Sequence, residues 1–148
     1  MTSVHSQIIA DIFTISEKFG SISDITIAYV GDGNNIVHSW LELASILPIN
    51  FNIVCPDGFL PDMQLVQNTK NKNISNINIF HDPVDGVKGA DVIYTDVWVS
   101  MGDRDGDAKK KILEKYQINK ELLKRAKPNA LVMHCLPAHR DEEIASDV

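Results

Sequence analysis

Two hydrophobic periodicities take turns along the chain. The runs ITIAYV (Ile25 to Val30), FNIVC (Phe51 to Cys55), INIF (Ile77 to Phe80), DVIYT (Asp91 to Thr95) and ALVMH (Ala130 to His134) are short and rich in β-branched or aromatic residues. They are apolar enough to be covered on both faces, as the strands of a buried parallel sheet are. Between them the spacing changes. Ile8, Ile12, Ile15 and Phe19 recur at intervals of four, three and four, and Val37, Trp40, Leu41 and Ala44 mark a second stripe, so each segment predicts a helix with one apolar face. A lysine-rich segment from Ala108 to Tyr116 and the run NKELLKRAK, with Asn119 as its N-cap and Pro128 as its stop, predict two more helices. Strand, helix and strand in alternation predict an α/β fold, an open, mostly parallel, doubly wound sheet of about five strands with helices on both faces. The first helix precedes the first strand. A doubly wound unit has no need of it there, so it reads as a link from an upstream segment.

Composition narrows the function. A chain of 148 residues with 44% hydrophobic content suffices for one core and one domain. A formal net charge of -6 argues against a nucleic-acid partner, because phosphate-backbone binding needs a concentrated basic surface. The one basic cluster, Lys109 to Lys111, lies among Asp105, Asp107 and Glu114 and reads as a solvated helix face. Cys55 and Cys135 are too few and too far apart for the disulfide framework of a small secreted protein, which favours a reducing, cytoplasmic setting. The start, MTSVHSQIIAD, lacks a basic stretch followed by an apolar one, and no apolar run reaches membrane-spanning length, so no membrane partner is expected.

In open parallel sheets ligands collect at the carboxyl ends of the strands. There the chain carries GDGNN (Gly31 to Asn35), PDG (Pro56 to Gly58), HDP (His81 to Pro83), DVWVSMG (Asp96 to Gly102) and CLPAHR (Cys135 to Arg140). GDGNN is a poor dinucleotide loop, since Ile36 stands where the third glycine of GxGxxG belongs. It instead puts Asn34 and Asn35 at a helix N-terminus, where free N–H groups favour an anion such as a carboxylate. Asn34 reads as the cap, leaving Asn35 to face a ligand. Asp96 follows an apolar strand and needs a donor partner if buried. With the Ser100 hydroxyl and the Met101 backbone N–H it would suit the zwitterionic end of an amino acid. His134, Cys135 and His139 lack the paired spacing of a zinc site, and DRDGD (Asp103 to Asp107) departs from a calcium loop. No metal or other cofactor is expected.

GDGNN, TDVWVSMG and MHCLPAHR, in this order and at strand ends, resemble the ornithine-binding half of the ornithine carbamoyltransferases. QIIADIFTISEKFG (Gln7 to Gly20) is similar to the helix that links the two halves of that family, so residues 1–20 are expected to be this link and residues 21–148 the second domain. The resemblance implies a Rossmann-like fold and a transferase reaction of arginine biosynthesis, carbamoyl phosphate plus L-ornithine giving citrulline and phosphate. It also implies roles. Asn35 would hold the ornithine carboxylate, Asp96 and Ser100 the α-amino end, and Met101 would contribute its backbone. Cys135 would be the catalytic thiol beside the reacting δ-amine. Gln7, His134, Cys135 and the Leu136 carbonyl, before a cis-proline, would contact carbamoyl phosphate. The charged stretch after Gly102 would be a mobile lid.

Three features of the family pattern are not found in these residues: the Ser-x-Arg-Thr phosphate loop of the carbamoyl phosphate domain, the closing Glu-Asn-Arg segment, and an intact His-Pro-x-Gln motif, in which Val4 and His5 replace the first two positions and Gln7 alone is kept. The expectation is therefore an ornithine-binding half that is inactive by itself, with an apolar face around Ile8, Ile9 and Phe13 left open for a partner domain or for self-association. The alternatives are a free-standing amino-acid-binding module or degenerate pseudoenzyme and, less consistent with Ile36, a nicotinamide-dependent oxidoreductase.

Overall fold

A computed structural model describes residues 3–99, 106–135 and 138–148. Five strands form one all-parallel sheet: β1 (Thr26–Val30), β2 (Asn50–Val54), β3 (Asn76–Phe80), β4 (Val92–Thr95) and β5 (Leu131–His134). Their spatial order is β3-β2-β1-β4-β5. The chain thus moves outward on one side of β1 and then returns to build the other, which puts the topological switch point between β1 and β4. Among the described residues six α-helices accompany the strands: α1 (Ser3–Phe19), α2 (Asn35–Ala44), α3 (Met63–Asn71), α4 (Pro83–Val87), α5 (Gly106–Leu113) and α6 (Lys120–Leu123). All five expected strands are present, each within a residue or so of its anticipated bounds.

Alternation along each strand divides the core in two. Ile27, Tyr29, Phe51, Ile53, Val92 and Tyr94 face Ile8 and Ile15 of α1, Val37, Trp40 and Leu41 of α2, and Val66 of α3. Ala28, Val30, Val54 and Ile93 face Val87 of α4, Leu113 of α5 and Leu122 of α6. Trp40 sits at the centre of the first layer, edge-on to Tyr94 and stacked on Phe51, with ring centroids 5.5 and 5.9 Å away. Such pairs add about 0.5–1.5 kcal/mol beyond area burial. Among the described residues no helix is long and apolar enough to cross a membrane.

Three points differ from expectation. Ile8, expected in the open apolar face, is instead buried in the core with Ile15, at 2% and 0% exposure, while Ile9 and Phe13 of the same helix are 51% and 66% exposed. Helices α3 and α4 were not anticipated. Each is capped by an aspartate: Asp62 accepts from the N–H groups of Gln64 and Leu65, and Asp82 from that of Val84 with Pro83 at the first helical position. Finally, Lys109 is not solvated. Its Nζ lies 2.7 Å from Asp32 Oδ2, with both side chains less than one-fifth exposed, and 5.6 Å from the centre of the Phe59 ring. Lys110 reaches Glu142 Oε1 at 2.5 Å. Lys109 and Lys110 therefore tie α5 to the turn after β1 and to Glu142, while Lys111 is exposed.

Gly33 enables that edge to close. A β-carbon there would fall 2.5 Å from both Phe59 O and Pro61 N, which are backbone atoms and cannot swing aside. Gly33→Ala is expected to lower stability by about 1–3 kcal/mol. Gly58→Ala, in the facing loop with open space around it, should stay within about 0.5 kcal/mol. Urea midpoints at unchanged slope read both effects.

Candidate functional site

The switch-point crevice is built from the ends of β1, β4 and β5. After β1 the chain turns at Gly31, whose φ of +141° lies outside the range that side-chain-bearing residues favour. The turn is pinned from both neighbouring strands: the Gly31 N–H donates to Val54 O at 2.9 Å, and Thr95 Oγ1 donates to Val30 O at 2.7 Å. The Tyr29 hydroxyl donates to Asp32 O at 2.7 Å. Asn34 then caps α2, its Oδ1 accepting from the Ile36 N–H at 3.0 Å, as its position in the sequence suggested. Its Nδ2 has a second task and donates to Asp96 Oδ2 at 2.9 Å. Asn35, the first residue of α2, is exposed beside it.

Asp96 is half-buried at the end of β4. Its Oδ1 accepts from the Val97 N–H at 2.8 Å. Burial raises its pKa above the usual carboxylate range, opposed by the hydrogen bonds from Val97 and Asn34 and by the nearby His134 ring. The β4–β5 register pairs Thr95 with His134, and the Cys135 N–H donates to Thr95 O at 3.3 Å. Continuing that ladder brings the next residues, Asp96 and Cys135, side by side. Burial, then Asp96 and then Asp11, push the Cys135 thiol up to about 11, so at neutral pH it is a thiol and not a thiolate.

Helix α1 contributes from above. Gln7 Nε2 donates to Asp11 Oδ1 at 3.0 Å, and the Tyr94 hydroxyl donates to Asp11 Oδ2. On the opposite face lies a residue the sequence reading passed over. Glu143 is fully buried, and its Oε1 accepts from His134 Nε2 at 2.7 Å and from the His139 N–H at 2.6 Å. An ionised carboxylate only accepts, so Nε2 carries the proton and Nδ1, buried without a partner among the described residues, is the imidazole's unused atom. Glu143 sits nine residues from His134, and no local pattern marks it. His139, Glu142 and Glu143 do bring three ligand-type atoms within 4.8 Å of one another; Lys110 occupies the Glu142 carboxylate and the histidines that of Glu143. The three read as a hydrogen-bonded network.

Of the residues singled out from sequence, Asp96, His134 and Cys135 stand at the adjoining ends of β4 and β5, Asn35 follows the Asn34 cap that meets Asp96, and Gln7 lies on α1 one turn before Asp11. Ser100, Met101, Leu136 and Pro137, and the expected lid from Asp103 to Asp105, lie outside the described residues. His81 has a structural task, its Nδ1 meeting Cys55 O at 2.9 Å and its Nε2 lying 3.0 Å from Asp57.

A prediction attaches to Glu143. Burial alone would raise its pKa, but hydrogen bonds from His134, from the His139 N–H and from its own N–H lower it overall. A carboxyl whose folded pKa is depressed adds stability above its unfolded pKa and loses it as pH falls through the folded value. Glu143→Gln should therefore cost about 1–3 kcal/mol at pH 7, and the gap from the parent should close below about pH 4. Denaturation curves at several pH values measure this.

Comparison with known proteins accords with the fold and the motifs. Residues 23–148 match the aspartate/ornithine carbamoyltransferase family, Asp/Orn binding domain. The chain is 47% identical over 143 residues to the ornithine carbamoyltransferase of Chlorobaculum tepidum, covering 96% of itself and 42% of that protein. It is 45% identical over 143 residues to the chloroplastic ornithine carbamoyltransferase of Pisum sativum, covering 38% of that protein. The solved structure of ornithine carbamoyltransferase from Pyrococcus furiosus superposes with a TM-score of 0.87 at 44% identity, over 96% of this chain and 47% of that one. The chain spans less than half the length of each of these relatives. With the family match extending over most of its residues and the doubly wound sheet in place, the chain belongs to the aspartate/ornithine carbamoyltransferase family and carries its Asp/Orn-binding domain.

Proposed function

We propose that this chain is the ornithine-binding half of a carbamoyltransferase that converts carbamoyl phosphate and L-ornithine to citrulline and phosphate, and that it is inactive without a carbamoyl phosphate half. The observation that carries this reading is the Asn34–Asp96 hydrogen bond at the switch point, with the Cys135 thiol on the adjoining strand end. In this reading Asn35 takes the ornithine carboxylate at the N-terminus of α2. Asp96, Ser100 and the Met101 backbone take the α-amino end. Asn34 keeps the Asp96 carboxylate aimed and hydrogen-bonded, so that the ammonium group meets a full negative charge in a half-dry crevice. Gln7, His134 and Leu136 meet the carbamoyl phosphate.

The chemistry asks for a neutral δ-amine. An alkyl amine has a reference pKa of about 10.4 and is almost wholly protonated at neutral pH. The nitrogen attacks the carbamoyl carbon, a C–N bond forms, the bond to the phosphate oxygen breaks, and the amine proton leaves as phosphate departs. Cys135, held as a thiol, serves as a neutral partner that selects an uncharged amine over an ammonium ion; as a preformed base it would be scarce. Most of the acceleration comes from holding amine and carbonyl in line. Both cysteines are free, which supports a reducing, cytoplasmic setting.

Two outcomes are expected. The purified chain with both substrates forms no citrulline, and L-ornithine binds it only in the millimolar range by calorimetry; citrulline formation would contradict the fragment reading. Ornithine binding at micromolar concentration without carbamoyl phosphate would instead favour a free-standing amino-acid-binding module. Asp96→Asn should weaken ornithine binding about tenfold or more, since a charge-assisted bond is lost.

The exposed Ile9 and Phe13 support a partner surface on α1. The proposed occupant is the carbamoyl phosphate half or, in its absence, a second copy of the chain. Elution volume on size exclusion should fall with concentration for the parent chain and change less for Phe13→Ser.

A further inference from the structure

We propose that the groove between the exit of β3 and α6 is a second small-molecule site, which takes an organic anion with an apolar body. None of its lining residues belongs to the crevice at β1, β4 and β5, and the proposal does not depend on the reading above. The groove is a cavity of about 580 Å³ with mostly apolar walls, within the range of about 300–1,000 Å³ common among small-molecule sites. Pro83 and Val84 line it from α4, Leu122 and Arg125 from α6 and the turn that follows, and Lys115 from the turn Glu114–Tyr116. Its lining begins at the His81–Pro83 run after β3, a strand end of the kind where open parallel sheets collect ligands and one that the crevice does not use.

The walls are fixed to each other. The Tyr116 hydroxyl donates to His81 O, tying the turn before α6 to the end of β3, and the Gly89 N–H donates to Arg125 O at 3.2 Å, tying the segment after α4 to the one after α6. Val87 and Leu122 pack in one core cluster. A groove held in this way loses little freedom when a ligand enters. Val84 remains 42% exposed within it, so apolar surface is available to cover. Charge decides the class of ligand. The acids of the lining are engaged: Asp82 Oδ1 accepts from the Val84 N–H at 2.9 Å, and Glu121 Oε1 lies 3.1 Å from Lys124 Nζ. His81 is turned to Cys55 O and Asp57. Among the described residues no carboxylate lies within ion-pair distance of Lys115 or Arg125, and the Lys115 ammonium has only the Tyr116 ring, 5.5 Å away. Cations without counter-ions beside apolar surface complement a carboxylate or phosphate head on a ring or alkyl body, and a guanidinium can hold either head by two parallel hydrogen bonds. L-Ornithine, with two ammonium groups to one carboxylate, does not match.

The test follows 15N–1H signals of the 148-residue chain at low salt while phenyl phosphate, 3-phenylpropanoate, inorganic phosphate or 3-phenylpropan-1-ol is added to millimolar concentration. At least one of the two aryl anions should move the signals of Val84, Leu122 and Arg125 and bind about five- to tenfold more tightly than inorganic phosphate or the alcohol, the scale of one charge-assisted bond at a solvent-exposed edge. Whichever aryl anion binds more tightly identifies the head group. Arg125→Gln should weaken that anion about fivefold and leave the alcohol unchanged, whereas Val84→Thr, which keeps the side-chain shape, should weaken the aryl anion and not inorganic phosphate. Both side chains are exposed, so neither change should disturb the fold. Equal affinity for inorganic phosphate, which would mean an adventitious ion only, would overturn the site. So would an unchanged anion affinity in Arg125→Gln, shifts centred on Asn34 and Asp96, or no binding of either aryl anion. L-Ornithine at the same concentration should leave the groove signals in place, so the two sites stand or fall separately.

Discussion

The crevice depends on a carboxylate that has been taken half out of water without a lysine or arginine beside it among the described residues. Asp96 sits where β4 ends, and burial works against its charge. What keeps it charged is a pair of short hydrogen bonds from the Asn34 amide and the Val97 N–H, together with the field of His134. An unpaired anion in such a place is a standing invitation to a cation of the right size. Everything around it is arranged to hold the donors still. Gly31 bends β1 into reach, Gly33 lets the next loop close over it, and the Asp32–Lys109 pair clamps that turn to α5.

The same logic recurs at two further acids near the crevice. Asp11 and Glu143 are both buried carboxylates satisfied by donors, one by a tyrosine and a glutamine, the other by an imidazole and a backbone N–H. They lie on opposite faces of the sheet and approach Cys135 and His134 from either side. A thiol near Asp11 and Asp96 is held protonated by burial and by those two charges, so negative and neutral groups stand side by side at the strand ends. Charge is thereby graded across the crevice by the fold itself.

Much of this was legible in the sequence, and the reasons for success and failure are physical. The strands were plain because each is a short apolar run that the sheet covers on both sides, and Asn34 and Asn119 were readable as caps because capping is local. Helices α3 and α4 were missed because their apolar faces are short: α3 buries only Val66 and Thr69, and α4 is five residues long. Lys109 was misread because three lysines in a row beside acids look solvated, and only the tertiary fold brings Asp32 to one of them. Glu143 and Asp11 left no trace for the same reason, since a buried acid is recognisable only by partners that arrive from other elements. The motifs pointed to the carboxyl ends of the strands; the hydrogen bonds that hold those ends in shape had to be seen.

The central claim is that the ends of β1, β4 and β5 grip one diamino acid. Its most direct test is a 15N–1H correlation map of the chain during titration with L-ornithine. The account predicts that the shifts cluster at Asn34, Asn35, Asp96, Val97 and Cys135, and that putrescine, which lacks the carboxylate, moves Asn35 far less. Shifts centred instead on the groove between His81, Lys115 and Arg125, or none at the carboxyl ends of β1 and β4, would contradict it.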